Sequence, residues 1–259
     1  MLTSEPHQQA GRWTAVAFLL TAFAAPNLAL AQDPPPPWIR MTVVDVEPRL
    51  VDEFLVAQRE LAALEKEAGV PWRNVSRTAV FGDAYRFLIM TPLEAFSGLD
   101  RPGRADAERV GVESRVERVV TGRTSLALRA TPQIDHALPE DEEPSLTLVQ
   151  LVFVVPGREQ DYLRVMAEEV LPHFAEADMH HRSGAITLGG EAGYVHFFHV
   201  GNFAALDQGS PMIRALGAEG AQEVMARLAG VTRSSEQWLV RYLPDASYLP
   251  EPETEEDRP

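Results

Sequence analysis

Two stretches of this chain, 38–132 and 145–248, carry one residue pattern twice, and a duplicated pattern has to fold as two copies of one unit. Val46-Glu47-Pro48 followed by Asp52-Glu53-Phe54-Leu55 answers Val154-Val155-Pro156 followed by Gln160-Asp161-Tyr162-Leu163 at a spacing of 108 residues. Gly82-Asp83-Ala84-Tyr85 answers Glu191-Ala192-Gly193-Tyr194 at 109, which sets His196 against Phe87 and His199 against Met90. The carboxyl ends agree at 112, where Leu126-Ala127-Leu128-Arg129 and Pro132 match Trp238-Leu239-Val240-Arg241 and Pro244. Short loop insertions account for so slow a drift.

Both copies lay down the same elements. Ile39 to Val46 is rich in β-branched residues and reads as a strand, with Pro48 placed where the first turn of a helix accepts it. Val51, Phe54, Leu55, Gln58, Leu61 and Ala62 then recur every three or four positions, an amphipathic helix stopped by Gly69 and Pro71. Val75–Phe81 and Tyr85–Met90 flank Gly82-Asp83 as a hairpin, followed by a helix over Asp106–Val120 and a strand over Ser125–Ala130. The second copy repeats this with Leu146–Val155, a helix from Glu159 to Phe174 that Pro172 must kink or end, Ile186–Leu188, Tyr194–Val200, a helix over Met212–Leu228 capped by Ser210-Pro211, and Gln237–Leu243.

The order β-α-β-β-α-β is that of a split βαβ unit, in which two helices cover one face of a four-stranded antiparallel sheet. The other face stays bare and apolar, so the expected fold is α+β: two tandem ferredoxin-like βαββαβ units packing sheet to sheet as an α+β barrel within one chain. On this element order and the paired motifs above, the chain resembles the dimeric α+β barrel superfamily, which includes antibiotic-biosynthesis-type monooxygenases and the haem-binding chlorite dismutases. The resemblance covers roughly Trp38 to Tyr248 and has no short catalytic signature within it. It implies a small apolar or aromatic ligand, or haem, held between sheet and helices. A cofactor-independent monooxygenase-like activity is one reading; a non-catalytic binding protein or a haem-binding barrel are the alternatives. Fold kinship of this kind assigns no reaction.

The ends of the chain read differently. Arg12 precedes an apolar stretch from Ala15 to Ala25, broken by Pro26-Asn27 and followed by Ala29-Leu30-Ala31, the pattern of a cleaved secretory signal over residues 1–31. The expectation is therefore an exported protein, periplasmic or secreted, with no membrane contact after cleavage. Residues 32–37 form a proline-rich spacer, 133–144 an acidic linker and 249–259 an acidic tail. Linker and tail carry −5 and −4 of a net charge of −15, so the acidity says little about a ligand, although it argues against nucleic acid. With no cysteine, disulfides, thiolate metal sites and thiol nucleophiles are excluded, and the protein is expected as a monomer or homodimer.

Candidate chemistry concentrates in the second copy. His173, His180, His181, His196 and His199 fall within 27 residues. On a strand Tyr194, His196 and Phe198 share one face while His199 takes the other, so the two strand histidines do not meet at one metal without a bulge. Three uses stay open for them: hydrogen-bonded structural residues, acid–base work on a phenolic or enolic substrate, or ligation of haem or a metal. The acid–base candidates are His196 and His199 with Tyr194 assisting, and His173, His181, Phe198, Trp238 and Arg241 are ligand-binding candidates. No metal site is assigned, since His173 with Glu176, or Asp178 with His180 and His181, follows no known ligand pattern and HExxH is absent. Arg129 and Arg241, paired by the repeat, suit sheet-edge salt bridges or an acidic ligand. Gly189 to Gly193 enters a strand rather than a helix and reads as a turn.

Overall fold

The computed structural model describes residues 38–100, 107–139, 142–143 and 145–249; the expected secretory signal, the spacer, most of the acidic tail and parts of the linker lie outside them. The first copy contributes β1 (Trp38–Val46), α1 (Val51–Glu67), β2 (Asn74–Thr78), β3 (Arg86–Leu93), the single turn α2 (Ser97–Asp100), α3 (Ala107–Val119) and β4 (Val120–Ala130). The second contributes β5 (Leu146–Val154), α4 (Glu159–Val165), α5 (Leu171–Glu176), β6 (His181–Leu188), β7 (Gly193–His199), α6 (Pro211–Leu228) and β8 (Thr232–Tyr242).

All eight strands close one antiparallel barrel in the order β1-β3-β2-β8-β5-β7-β6-β4. Each half keeps the split-βαβ arrangement, and two seams join the halves. At one seam Ser76, Arg77 and Thr78 pair with Tyr242, Arg241 and Val240; at the other Ala127 to Ala130 pair with Leu188 to Gly184. The bare faces of both sheets turn inward. Met41, Leu88, Leu128, Val149, Val195 and Val240 are almost wholly buried there, filling the barrel with side chains. The outer faces carry the helices: Phe54, Phe87, Val112 and Val116 form the layer in the first half, and Tyr162, Val170, Phe174 and Val224 in the second.

The duplication is visible in irregularities as well as in elements. A break in the β1–β4 ladder at Asp45/Val46 recurs in the β5–β8 ladder at Phe153/Val154. A tight turn at Pro132–Ile134 recurs at Pro244–Ala246, with Ile134 and Ala246 both buried. Beyond these turns the copies exchange ends. His136 pairs with His181 of the second half and Tyr248 with Arg73 of the first, each through two backbone hydrogen bonds. The opening of the 133–144 segment is therefore part of the fold.

Several elements depart from expectation. The strand expected over Val75–Phe81 stops at Thr78, because Val80 takes φ 63°, a left-handed conformation that no strand continues and that a β-branched residue rarely adopts. Its partner β3 runs on through Pro92, beyond the start of β2, where a missing N–H leaves no ladder bond unmade. Strand β6 begins at His181 rather than Ile186, β4 starts directly from α3 at Val120 rather than at Ser125, and β8 starts at Thr232, one tight turn after α6, rather than at Gln237. Gly122 and Arg123 in β4 and Ser234, Ser235 and Glu236 in β8 pair with β1 and β5 although such residues are poor strand signals. Pro172 neither ends nor sharply breaks its helix: a wider π-turn at Met166–Val170 precedes it, so the proline enters at the start of a fresh helical stretch. The turn expected over Gly189 to Gly193 ends at Ala192, and Gly193, which opens β7, must be glycine because a Cβ would come within 2.3 Å of the Val152 carbonyl oxygen.

The tie between α1 and the exchanged end is charged. Arg73, 2% exposed, donates from Nη1 to Glu65 and from Nη2 to Gln58, both at 2.5 Å. Glu65→Ala, which strands the guanidinium in the interior, is expected to cost about 3–5 kcal/mol, seen as a lower urea midpoint at unchanged slope; Glu65→Gln, which keeps an acceptor, costs less.

Candidate functional site

Between the outer face of β5, β7 and β8 and the helix α6 lies a cavity of about 510 Å³. Its walls are mostly apolar, with Met166, Phe174, Phe198, Met212 and Met225 among them, and Gln150 and Gln237, cross-strand neighbours, supply polar groups. Two departures from regular helix make the space. The π-turn before α5 carries Met166 at the wall, and Gly217 interrupts α6 with φ 72° and ψ 172°, a conformation available to glycine.

His196 and Tyr162 are part of this wall. His196, 1% exposed, is held at both ring nitrogens: Nε2 lies 2.8 Å from the Tyr162 hydroxyl and Nδ1 2.8 Å from the Ser183 hydroxyl. Ser183 is the cross-strand partner of His196, which places the two side chains together. Asp135, from the turn after β4, sits against the backbone and hydroxyl of Ser183, where burial pushes its carboxyl up to about 7 against the opposing pull of Ser183 and Arg182. Burial likewise pushes His196 down to about 3 and raises Tyr162 well above the usual phenol range. The row Ser183–His196–Tyr162 is thus a hydrogen-bonding chain, with the buried carboxyl of Asp135 beside its Ser183 end, and its imidazole and phenol stay neutral near pH 7. A neutral imidazole donates at one nitrogen and accepts at the other, and reversing the tautomer reverses every bond along the row. Tyr162 is consequently able to offer a ligand either a donor or an acceptor.

The strand ladders correct the alignment of the copies. Val44 pairs with Phe87 and Val152 with Tyr194, so Phe87 corresponds to Tyr194, and His196 stands where the first half has Ile89. Likewise Val75, cross-strand to Ile89, corresponds to Ser183, and Phe54 to Tyr162. The rings agree: Phe54 and Phe87 lie 4.7 Å apart, Tyr162 and Tyr194 4.8 Å apart. Four apolar residues of one copy are therefore replaced by two tyrosines, a serine and a histidine in the other.

Of the residues singled out from sequence, the cavity brings together His196 and Phe198. Tyr194 stacks behind Tyr162 and donates to the Glu159 carbonyl at 3.1 Å, with burial pushing its phenol up to about 12. His181 is packed between Phe174 and Phe198, and burial pushes it down to about 4. His199 is on the opposite face of β7, also pushed down to about 4 by burial. Trp238 borders a second cavity of about 360 Å³ inside the barrel, and His173 faces Glu176 at the surface. Arg129 and Arg241 lie over the rings of Trp38 and Phe203. Tyr162, Ser183 and Asp135 are site residues that sequence reading passes over. The signal for two of them was present, since Tyr162 and Ser183 replace apolar residues of the sister copy, whereas Asp135 is masked by the acidic run it begins.

No family model and no curated protein matches the sequence. Solved structures do match in three dimensions. A protein from Lactobacillus acidophilus described as a "putative monooxygenase" has a TM-score of 0.58 at 11% identity, covering 83% of this chain and 96% of its own. An anthrone oxidase-like protein gives 0.56 at 11%, covering 80% and 92%. A point mutant of chlorite dismutase from Candidatus Nitrospira defluvii gives 0.52 at 10%, covering 82% and 93%. Identities this low speak for the fold alone. The chain has the fold of the dimeric α+β barrel superfamily, with both halves of the barrel supplied by one polypeptide.

Proposed function

We propose that this chain is an exported protein that binds a small apolar or aromatic molecule in the cavity under α6 and acts on it as a monooxygenase-like enzyme, with Tyr162 as its acid–base contact. The observation that carries this reading is the replacement, in one copy only, of Phe54 and Ile89 by Tyr162 and His196 at the cavity wall and of Val75 by Ser183 behind it. Buried polar groups cost stability unless fully paired, so an intact polar row beside an apolar space has a use beyond packing. Export rests on the signal pattern around Ala15–Ala31.

On this reading Tyr162 accepts the proton of a phenolic or enolic hydroxyl and passes its own to His196, whose second nitrogen passes one on toward Ser183 and Asp135. No charge then rests on the buried imidazole, which its surroundings would resist. The electron-rich anion left in the cavity is the form that reacts with dioxygen. For haem the cavity wall offers neither a free imidazole nor a thiolate: His196 has both nitrogens engaged, His181 is not in the wall, and there is no cysteine. Those engaged nitrogens also favour the second reading, a binding protein without catalysis.

A thermal-shift screen of phenols, fused-ring anthrones, quinones and fatty acids separates these readings. Aromatic ligands are expected to raise Tm in the wild type and not in Ala218→Trp, which fills the cavity mouth. Shifts that survive Ala218→Trp would place binding elsewhere. For any phenol or anthrone oxidised, Tyr162→Phe is expected to bind within a few-fold of wild type and to lose about 10²-fold in kcat. Unchanged turnover in that variant removes its acid–base role.

The pH dependence of folding gives a test that needs no substrate. His196 has its folded pKa below its unfolded one, so its contribution is complete above about 6.5 and is lost as pH falls toward 3, by about 1.4 kcal/mol per pH unit. His196→Phe is expected to be less stable at pH 7.5, because Ser183 and Tyr162 lose their partner. Its stability should also fall less steeply between pH 6.5 and 4, by about one proton in the slope measured by urea unfolding.

A further inference from the structure

We propose a second, independent site: a divalent transition-metal site of the zinc or copper type formed by His136, Asp178 and His180 at the surface of the second half. The facing atoms of the three side chains all lie within 4.8 Å of one another. His180 Nε2 is 3.3 Å and His136 Nε2 3.9 Å from Asp178 Oδ1. Donors about 2.0–2.2 Å from a tetrahedral ion stand roughly 3.4 Å apart, so one edge is already at that spacing and the others need to contract by up to about 1.5 Å. The rings of His136 and His180 are stacked, 4.7 Å between centroids and 9° from parallel, so the His136 ring must turn about χ2 to share one ion with His180, which keeps its own orientation. That torsion is broad and soft for imidazole. The His136 side chain is also partly open to solvent, which leaves its ring room to turn.

Three features orient the donors in advance. His180 Nδ1 faces the Ala137 carbonyl at 3.0 Å, which fixes its tautomer and leaves Nε2 free to ligate, the usual outer support of a metal-bound imidazole. His136 Nε2 is shielded from solvent and has no hydrogen-bond partner, an orphaned acceptor or donor that a metal would satisfy. Backbone bonds in both directions between His136 and His181, at 2.6 and 3.0 Å, hold the segment after β4 beside the turn into β6. The duplication adds a contrast: the same exchange of ends in the first half places Tyr248 and Trp72 where the second half has His136 and His180, so the ligands are not demanded by the fold. Two imidazoles and one carboxylate suit zinc, copper, nickel or cobalt, and leave at least one position for water or an external ligand. An ion there would clamp the connection between the halves onto the second half.

The test uses untagged protein dialysed against a chelator and titrated with zinc chloride by calorimetry, with thermal melts in parallel. Binding of one equivalent is expected, with a rise in Tm of about 5–10 °C at hundredfold excess over Kd. Asp178→Asn and His180→Ala should each weaken binding by at least about tenfold, while His173→Ala, a neighbouring surface histidine, leaves it unchanged. Asparagine keeps the left-handed backbone that Asp178 adopts at φ 51°, so the first variant removes the ligand charge without disturbing the turn. Cobalt should give the strong visible absorption of a four-coordinate ion, lost in Asp178→Asn. No zinc binding by the wild type, or binding equally tight in Asp178→Asn and His180→Ala, overturns the proposal.

Discussion

Neither sheet of this protein is stable by itself, because each has two apolar faces and only one set of helices. Met41, Leu88 and Leu128 on one sheet and Val149, Val195 and Val240 on the other reach near-zero exposure only against each other. Burying such side chains is the dominant favourable term in folding, of order 1.5–3 kcal/mol for each large one. Everything else follows from that mutual dependence. The barrel closes at both seams, the two halves behave as one compact unit, and the exchanged ends at Arg73–Tyr248 and His136–His181 fasten each copy to its sister.

Duplication within one chain frees the copies to diverge. A barrel made from two identical chains must place the same residues in both helix–sheet layers. Here the first half keeps Phe54, Phe87 and Ile89 packed with Val112 and Val116, and puts its buried polar cluster at Arg73, Glu65 and Gln58. The second half inverts the choice. Met166, His173 and His181 stand at the positions of that cluster, and the polar row moves to Tyr162, Ser183 and His196 beside the cavity. One half is specialised for holding, the other for an open space with hydrogen-bonding capacity at its wall.

Element order and the pairing of the copies were legible from alternation, helical spacing and proline and glycine breaks, because those signals are local. The register was not. Matching Gly82-Asp83 to the Gly189–Gly193 turn places Phe87 against His196, whereas the ladders place it against Tyr194. Loop similarity does not measure hairpin length, and a two-residue error keeps the same face while moving every contact. The length of β6 was hidden because His181, Arg182, Ser183 and Gly184 are held in the sheet by tertiary pairing rather than by propensity. Asp135 was hidden by composition: a carboxylate in an acidic run reads as solvated until the fold turns it inward.

The cavity itself has a physical origin that the first half lacks. In α3 the buried residues Val112, Val116 and Val119 recur at helical spacing and descend onto the Phe54–Phe87 pair. In the second half both covering helices are irregular near the polar row, the π-turn at Met166–Val170 and the break at Gly217, and each irregularity sacrifices backbone hydrogen bonds that a regular helix would make. A protein interior left to packing alone closes such gaps, since voids forfeit dispersion contacts. Two helix distortions and a buried polar row converge on one space lined by methionines, whose flexible side chains adapt to varied shapes. Stability alone favours the first half's solution, so the second half's departure from it singles out this space as the candidate site.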